Sequence, residues 1–200
     1  MAVGRWRLSD PLSPAFFAQA TLDVARDLLG ALLVHELPDG ARVGRVVETE
    51  AYVGPDDGGS HARRGKTKRT WPMFGPPGRA YVYLIYGMHH CLNVVTEVEG
   101  YPAAVLIRAI EAVEGLPGPA SGPGRLCRLM GIDRGHNGLD LTTPPLYFLP
   151  AEVQMPEGRI AQGPRIGIEY AGEWAAKPWR FWVADSPAVS RRPSGRARPS

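Results

Sequence analysis

Glu48-Thr49-Glu50-Ala51-Tyr52 sets two carboxylates and a phenol at alternate positions. On an extended strand such residues share one face, so the two carboxylates would stand side by side. A carboxylate held there can activate water and steady an oxocarbenium-like centre, which is what hydrolysis of a glycosidic bond requires. An exposed strand face with two solvated glutamates is the other reading, and the pair alone leaves it open. His61 follows in a basic stretch, where a lone histidine is equally a surface residue. Tyr81 and Tyr83 share a face of the next extended segment, and Tyr86 ends it before Gly87. These rings suit a tyrosine-rich core with wet hydroxyls, or a stacking surface for a base with a wedge for a duplex. Asn93 and Arg108 interrupt otherwise apolar runs. A buried amide or guanidinium must be paired or employed, and Arg108 beside Glu48 or Glu50 would keep a carboxylate ionised.

The charge is distributed unevenly. No acidic residue lies between Asp57 and Glu97, a stretch that carries Arg63, Arg64, Lys66, Lys68, Arg69 and Arg79. The formal net charge is only +3, so this is a local patch, and one-signed patches attract polyanions, nucleic acid first. A second cluster, Arg191, Arg192, Arg196 and Arg198, sits among Pro, Ser and Gly and reads as a solvated tail.

Several chemistries are excluded. There is no Gly-rich phosphate loop, no dinucleotide fingerprint opening a helix, and no His/Cys spacing that suits zinc. No cofactor or metal is therefore expected. The lysines are Lys66, Lys68 and Lys177, and none lies in an apolar setting that would depress its pKa for Schiff-base chemistry. Water, not an amine, is then the expected nucleophile. Cys91 and Cys127 are too few for an iron–sulfur cluster and read as structural thiols. No apolar run approaches a membrane span, and Met1 to Asp10 lacks the apolar core of a signal peptide, so no membrane partner and a cytoplasmic location are expected.

These residues need positioning elements. Ser13 and Pro14 read as the start of a helix carrying Phe17, Thr21, Val24 and Leu28 at helical spacing, with Gly30 as its stop. A strand at 31–37 and a turn at Pro38-Asp39-Gly40 lead into a long return strand at 42–53. Alternation there puts Val43, Val47, Ala51 and Val53 on one side and Val46, Glu48, Glu50 and Tyr52 on the other. Residues 54–78 form a long aperiodic loop of the kind that carries function. Strands follow at 80–86 and 90–97, joined at Gly87-Met88, and at 103–110. A loop at 112–124 precedes a short helix at 123–130, and two short strands fall around Ile166 and Trp182. The expected fold is α+β, a single domain with a curved, mostly antiparallel sheet, flanking helices and a protruding β-hairpin. It would occupy residues 1–187, with 188–200 as a basic, disordered tail.

The segments Val46–Tyr52, the spacing on to His61, Gly78–Asn93, Ala104–Glu111, Ser121–Cys127 and Arg165–Trp182 resemble the alkyladenine (3-methyladenine or methylpurine) DNA glycosylases, in that family's order. The resemblance spans about residues 15 to 187 and implies a monofunctional glycosylase that starts base excision repair. It implies that Glu50 activates the attacking water and that Arg108 supports both. Tyr52, His61 and Tyr83 would hold the flipped base, and Asn93 would press on its minor-groove edge and reject guanine. Tyr86 would enter the duplex with Met88 packed beside it, and Arg125 would contact the DNA backbone. The implied partner is double-stranded DNA containing alkylated or deaminated purines, met by a monomer. His89 and His90 stand where bulkier aromatics are expected. Two readings from other classes compete. A non-catalytic nucleic-acid-binding module leaves Glu50 unexplained, and a sugar or nucleoside hydrolase leaves the basic loop and Tyr86 unexplained.

Overall fold

The computed structural model describes residues 9–190. Among these residues nine strands form one sheet in which every pairing is antiparallel, with α-helices packed against it. In chain order they are α1 (Pro14–Phe17), α2 (Thr21–Asp27), β1 (Leu32–Leu37), β2 (Gly40–Tyr52), β3 (Ala80–Ile85), β4 (His89–Val95), β5 (Ala104–Glu114), β6 (Ala120–Ser121), α3 (Pro123–Met130), β7 (Leu146–Leu149), β8 (Ile160–Gly163) and β9 (Arg180–Val183). The main path runs β3-β4-β5-β2-β1-β7, with β9 also pairing β2, and the sheet is an open α+β structure. The basic Arg191 to Arg198 cluster lies outside the described residues. Of the residues expected to form the tail, Ala188 and Val189 are buried and the Ser190 N–H donates to Glu48, so these three pack on the domain.

The single helix expected from Pro14 to Leu28 is two helices. A tertiary contact breaks it: Glu97, from the β4–β5 connection, accepts from both the backbone N–H and the hydroxyl of Thr21. Its own N–H donates to Phe17 O, closing the first helix. A carboxylate supplied from elsewhere thus satisfies the α2 N-terminus, which periodicity cannot reveal. Three other expectations change. β5 runs on to Glu114, and β6 takes part of the stretch assigned to a loop. β7 pairs β1 where no strand is expected. Ile166 lies in no strand, because its N–H is spent on a side chain.

β2 and β5 carry the site, and their pairing is irregular. Val46 pairs with Ile110 and Glu48 with Ala109, which leaves Val47 as an extra residue. Thr49 then pairs with Ile107, which leaves Arg108 without a counterpart. Such bulges re-aim side chains. They overturn the simple alternation: Val46 and Val47 both enter the main core, while Val43 packs on the other face with Leu32, Val34, Tyr147 and Leu149. The main core packs Val24, Leu28, Leu126 and Met130 of the helices against Val47, Ala51, Ile107 and Ile110. Burying the Val, Leu, Ile and Met side chains among them contributes about 2 kcal/mol apiece before the entropy cost of ordering them. A small third cluster, Ala62, Met73, Tyr81, Val95 and Ala104, pins the basic loop to the sheet. His61 is therefore fixed in place by its buried neighbour Ala62, inside a short 3-10 turn (His61–Arg64) capped by Ser60.

Candidate active site

Glu48 and Glu50 lie on the same face of β2, and both are fully buried. The exposed-strand reading is excluded by that burial. The two carboxylates have different surroundings. Glu48 accepts from Arg108 Nε at 3.2 Å, Arg180 Nη1 at 3.0 Å and the Ser190 N–H at 2.7 Å. It is caged by structural donors. Glu50 accepts from the Ile166 N–H at 2.7 Å and the Tyr52 hydroxyl at 2.9 Å, with Arg108 Nη1 at 3.4 Å. Burial pushes the Glu50 carboxyl up from the ordinary range. Arg108, the Ile166 N–H and the Tyr52 hydroxyl pull it back, and Glu48 adds a smaller upward push. Burial works against the charge of Arg108, but Glu50, Glu48 and Tyr52 more than offset it, so its pKa rises. The result is a desolvated carboxylate held by three donors, a stronger base than one in water.

Next to this pair of carboxylates lies a cavity of about 260 Å³ lined by Tyr52, His61, Tyr81, Tyr83, Tyr86, Asn93 and Arg108, among others, while Glu50 itself stays behind Tyr52 and Arg108. Seven of the residues singled out from the sequence thus converge on one space, with Glu50 bonded to two of them, Tyr52 and Arg108. The ring planes are not parallel throughout. His61 meets Tyr83 edge-on at 4.6 Å between centroids, and Tyr81 tilts against Tyr83 at 5.4 Å. The proton on His61 is fixed by its neighbours. Arg69 Nη2 lies 3.3 Å from Nε2, and a guanidinium can only donate, so Nε2 accepts. Nδ1 then carries the proton and donates to the Tyr81 hydroxyl at 3.0 Å. Burial first, then Arg69 and Arg64, push the His61 pKa down to about 4. Asn93 donates its amide to Tyr81 O at 2.9 Å, its cross-strand neighbour, so the side chain is held rigid where it lines the cavity.

The β3–β4 hairpin projects Tyr86, 83% exposed, at its tip. Tyr86 and Gly87 both have positive φ, 51° and 72°, and Met88 N–H closes the turn on Ile85 O. A left-handed tyrosine costs about 1–2 kcal/mol relative to glycine, so the turn tolerates strain to present the ring. Met88, also exposed, and Arg125 do not reach the cavity. They line a neighbouring groove with His89, His90, Gly124 and Arg128, where α3 meets the hairpin.

Other contributors are not evident from the sequence patterns. Arg165 is buried and bidentate to Asp57, 108 residues away, at 2.5 and 2.7 Å. Its guanidinium also lies 4.7 Å from the Tyr52 ring centroid and 5.0 Å from that of Trp179. Arg180 reaches Glu48 from β9, and the Ile166 N–H reaches Glu50 from a connecting segment. Buried arginine itself was a signal, but only the fold names its partner. Among the described residues, no three His, Cys, Asp or Glu side chains gather in a way that could hold a metal ion.

The methylpurine-DNA glycosylase family model matches residues 15–187. The chain belongs to that family. It is a DNA glycosylase, an enzyme of base excision repair, and the rival readings as a binding module or a sugar hydrolase are set aside. It is 56% identical over 193 residues to a protein of Myxococcus xanthus (strain DK1622), covering 94% of this chain and 98% of that one. It is 54% identical to a protein of Anaeromyxobacter dehalogenans (strain 2CP-1), covering 93% and 88%. A third, from Methanocella arvoryzae, is 50% identical, covering 90% and 96%. Each of the three bears the name "Putative 3-methyladenine DNA glycosylase".

Proposed function

We propose that this glycosylase accepts a purine rotated out of duplex DNA and hydrolyses its N-glycosidic bond with water activated by Glu50. The observation that carries this reading is the Glu50 carboxylate, fully buried yet bonded to two residues, Tyr52 and Arg108, that line an aromatic-walled cavity. Water gives a proton to Glu50 as its oxygen bonds to C1′ of the deoxyribose. The C1′–N bond breaks and its electron pair leaves with the purine. Arg108 keeps Glu50 ionised until that transfer. The substrates are alkylated purines, 3-methyladenine among them, and deaminated purines such as hypoxanthine.

A paired base cannot be attacked inside the helix, and rotating it out costs about a few kcal/mol. In this reading Tyr86 enters the space the base leaves, with Met88 beside it. Arg125 and the basic loop hold phosphates and offset the cost. Tyr52, His61 and Tyr83 receive the base, and Asn93 excludes the C2 amino group of guanine. Lys177 sits over Trp174 at 3.6 Å, engaged away from the cavity, so the product is an intact abasic strand.

Duplexes carrying 3-methyladenine, ethenoadenine or hypoxanthine should release free base and leave an unbroken abasic strand. No release from any of them would sink the reading. A covalent adduct trapped by borohydride would replace water with an amine nucleophile.

A further inference from the structure

Three buried carboxylates each bond a residue that lines the cavity, Glu48 to Arg108, Glu50 to Tyr52 and Asp57 to the Gly59 N–H, and each has its arginine. Glu48 pairs with Arg108 and Arg180, Glu50 with Arg108, and Asp57 with Arg165. A further cation stands in the basin adjoining the cavity, next to His61, without such a partner. Arg69 is exposed, contacts His61 at 3.3 Å, and lies 5.2 Å from the Tyr83 ring centroid. Among the described residues no carboxylate lies within ion-pair distance of it, and residues 58–96 contain no acidic side chain. Arg63 and Arg64 line the same outer basin as Arg69, so the neighbourhood adds positive charge.

Both tyrosines on which a base would stack are thus already faced by a guanidinium: Tyr52 by Arg165, Tyr83 by Arg69. The two are not equivalent. The charge of Arg165 is cancelled by its bidentate bond to Asp57. That of Arg69 is not. A ring face attracts a cation through its quadrupole, but a second cation at the same ring also meets the first.

We propose that Arg69 is a specificity-determining residue that penalises cationic, N-alkylated purines relative to neutral damaged purines in the base pocket. The proposal rests on the base-binding role given to this cavity under Proposed function. A neutral base such as hypoxanthine stacks beside Arg69 with no net repulsion. A purine alkylated on a ring nitrogen brings a full charge to the Tyr83 ring that the guanidinium already faces. Because Arg69 is exposed, solvent screens the interaction, and an effect of about 3- to 10-fold is expected at moderate ionic strength, shrinking as salt rises. Cationic substrates can still be cleaved efficiently, because the charge also makes the base a better leaving group. Arg69 changes their share, not their eligibility.

The test compares wild type, Arg69→Gln and Arg69→Lys in single-turnover excision at pH 7.5, where His61 is neutral in the fold. Two duplexes of identical flanking sequence carry 3-methyladenine, which is cationic, or hypoxanthine, which is neutral. The rate divided by the half-saturating concentration is read for each, with spontaneous depurination subtracted. Arg69→Gln should raise the 3-methyladenine to hypoxanthine ratio about 3- to 10-fold, less at high salt. Arg69→Lys should keep the wild-type ratio. An unchanged or lowered ratio in Arg69→Gln overturns the proposal, and equal loss on both duplexes would assign Arg69 to gripping the DNA backbone. If wild type releases neither base, the pocket reading itself has failed, and that result is distinct from an unchanged ratio.

Discussion

The Tyr52 hydroxyl donates to Oε2 of Glu50 at 2.9 Å, two positions along the same strand. The ring that walls the cavity and the buried carboxylate behind it are therefore one hydrogen-bonded unit. Arg165 lies against that ring, and the next residue, Ile166, supplies the other donor to Glu50. Under the proposed function, base binding and water activation would be coupled through these contacts.

Glu50→Gln should slow single-turnover excision by about 10²- to 10⁴-fold while leaving affinity for lesion DNA nearly intact. Rates within a few-fold of wild type would remove Glu50 from the chemistry. Glu48→Gln is a test of a different kind. It removes the buried charge that both Arg108 and Arg180 bond, so the expected loss is stability, about 3 kcal/mol or more in chemical denaturation. A Glu48→Gln protein as stable as wild type would show that the Arg180 pair contributes little to the fold.

Tyr52→Phe removes a hydrogen bond that lowers the Glu50 pKa, so the carboxyl should rise further above the ordinary range. The base must be ionised to accept a proton. The acid limb of the pH–rate profile should therefore move to higher pH in Tyr52→Phe, with activity recovered as pH increases. A limb that stays in place would mean that Glu50 does not govern it.

His61 sets an acid limit on stability. Its pKa is pushed down to about 4 in the fold, mainly by burial, against about 6.5 in the unfolded chain. Above pH 6.5 both states are neutral and nothing is lost. Between about 6.5 and 4 the unfolded chain takes up the proton and the fold does not, so stability falls with pH by up to about 3 kcal/mol. His61→Asn should flatten that part of the curve in denaturant titrations, and a slope equal to that of wild type would refute the assignment.

Asn93→Ala should raise activity on 7-methylguanine relative to 7-methyladenine, because a rigid amide against the minor-groove edge would no longer block the C2 amino group. Both bases are cationic, so the ratio reports the amino group alone and cancels general damage to the fold. Asn93 also donates to Tyr81 O, and if that is its whole role both rates will fall together.

Elements whose signal is local were legible along the chain. The β3–β4 hairpin, its tip at Tyr86 and helix α3 follow from alternation, turn residues and a Pro start with a Gly stop. Family resemblance, carried by runs such as Gly78–Asn93, named the residues that meet in the cavity. Tertiary structure decided how they are held. The bulges that leave Val47 and Arg108 unpaired depend on β5 lying beside β2, so strand alternation alone placed Val43 and Val46 on the wrong faces. Glu97 divides the first helix from 76 residues away, Arg165 finds Asp57 across 108, and the Ile166 N–H leaves any ladder to meet Glu50 across 116. Periodicity reports which face a residue prefers over a turn or two of chain. A buried charge must find its counter-charge or donor wherever the fold brings one, and distance along the sequence does not constrain that search.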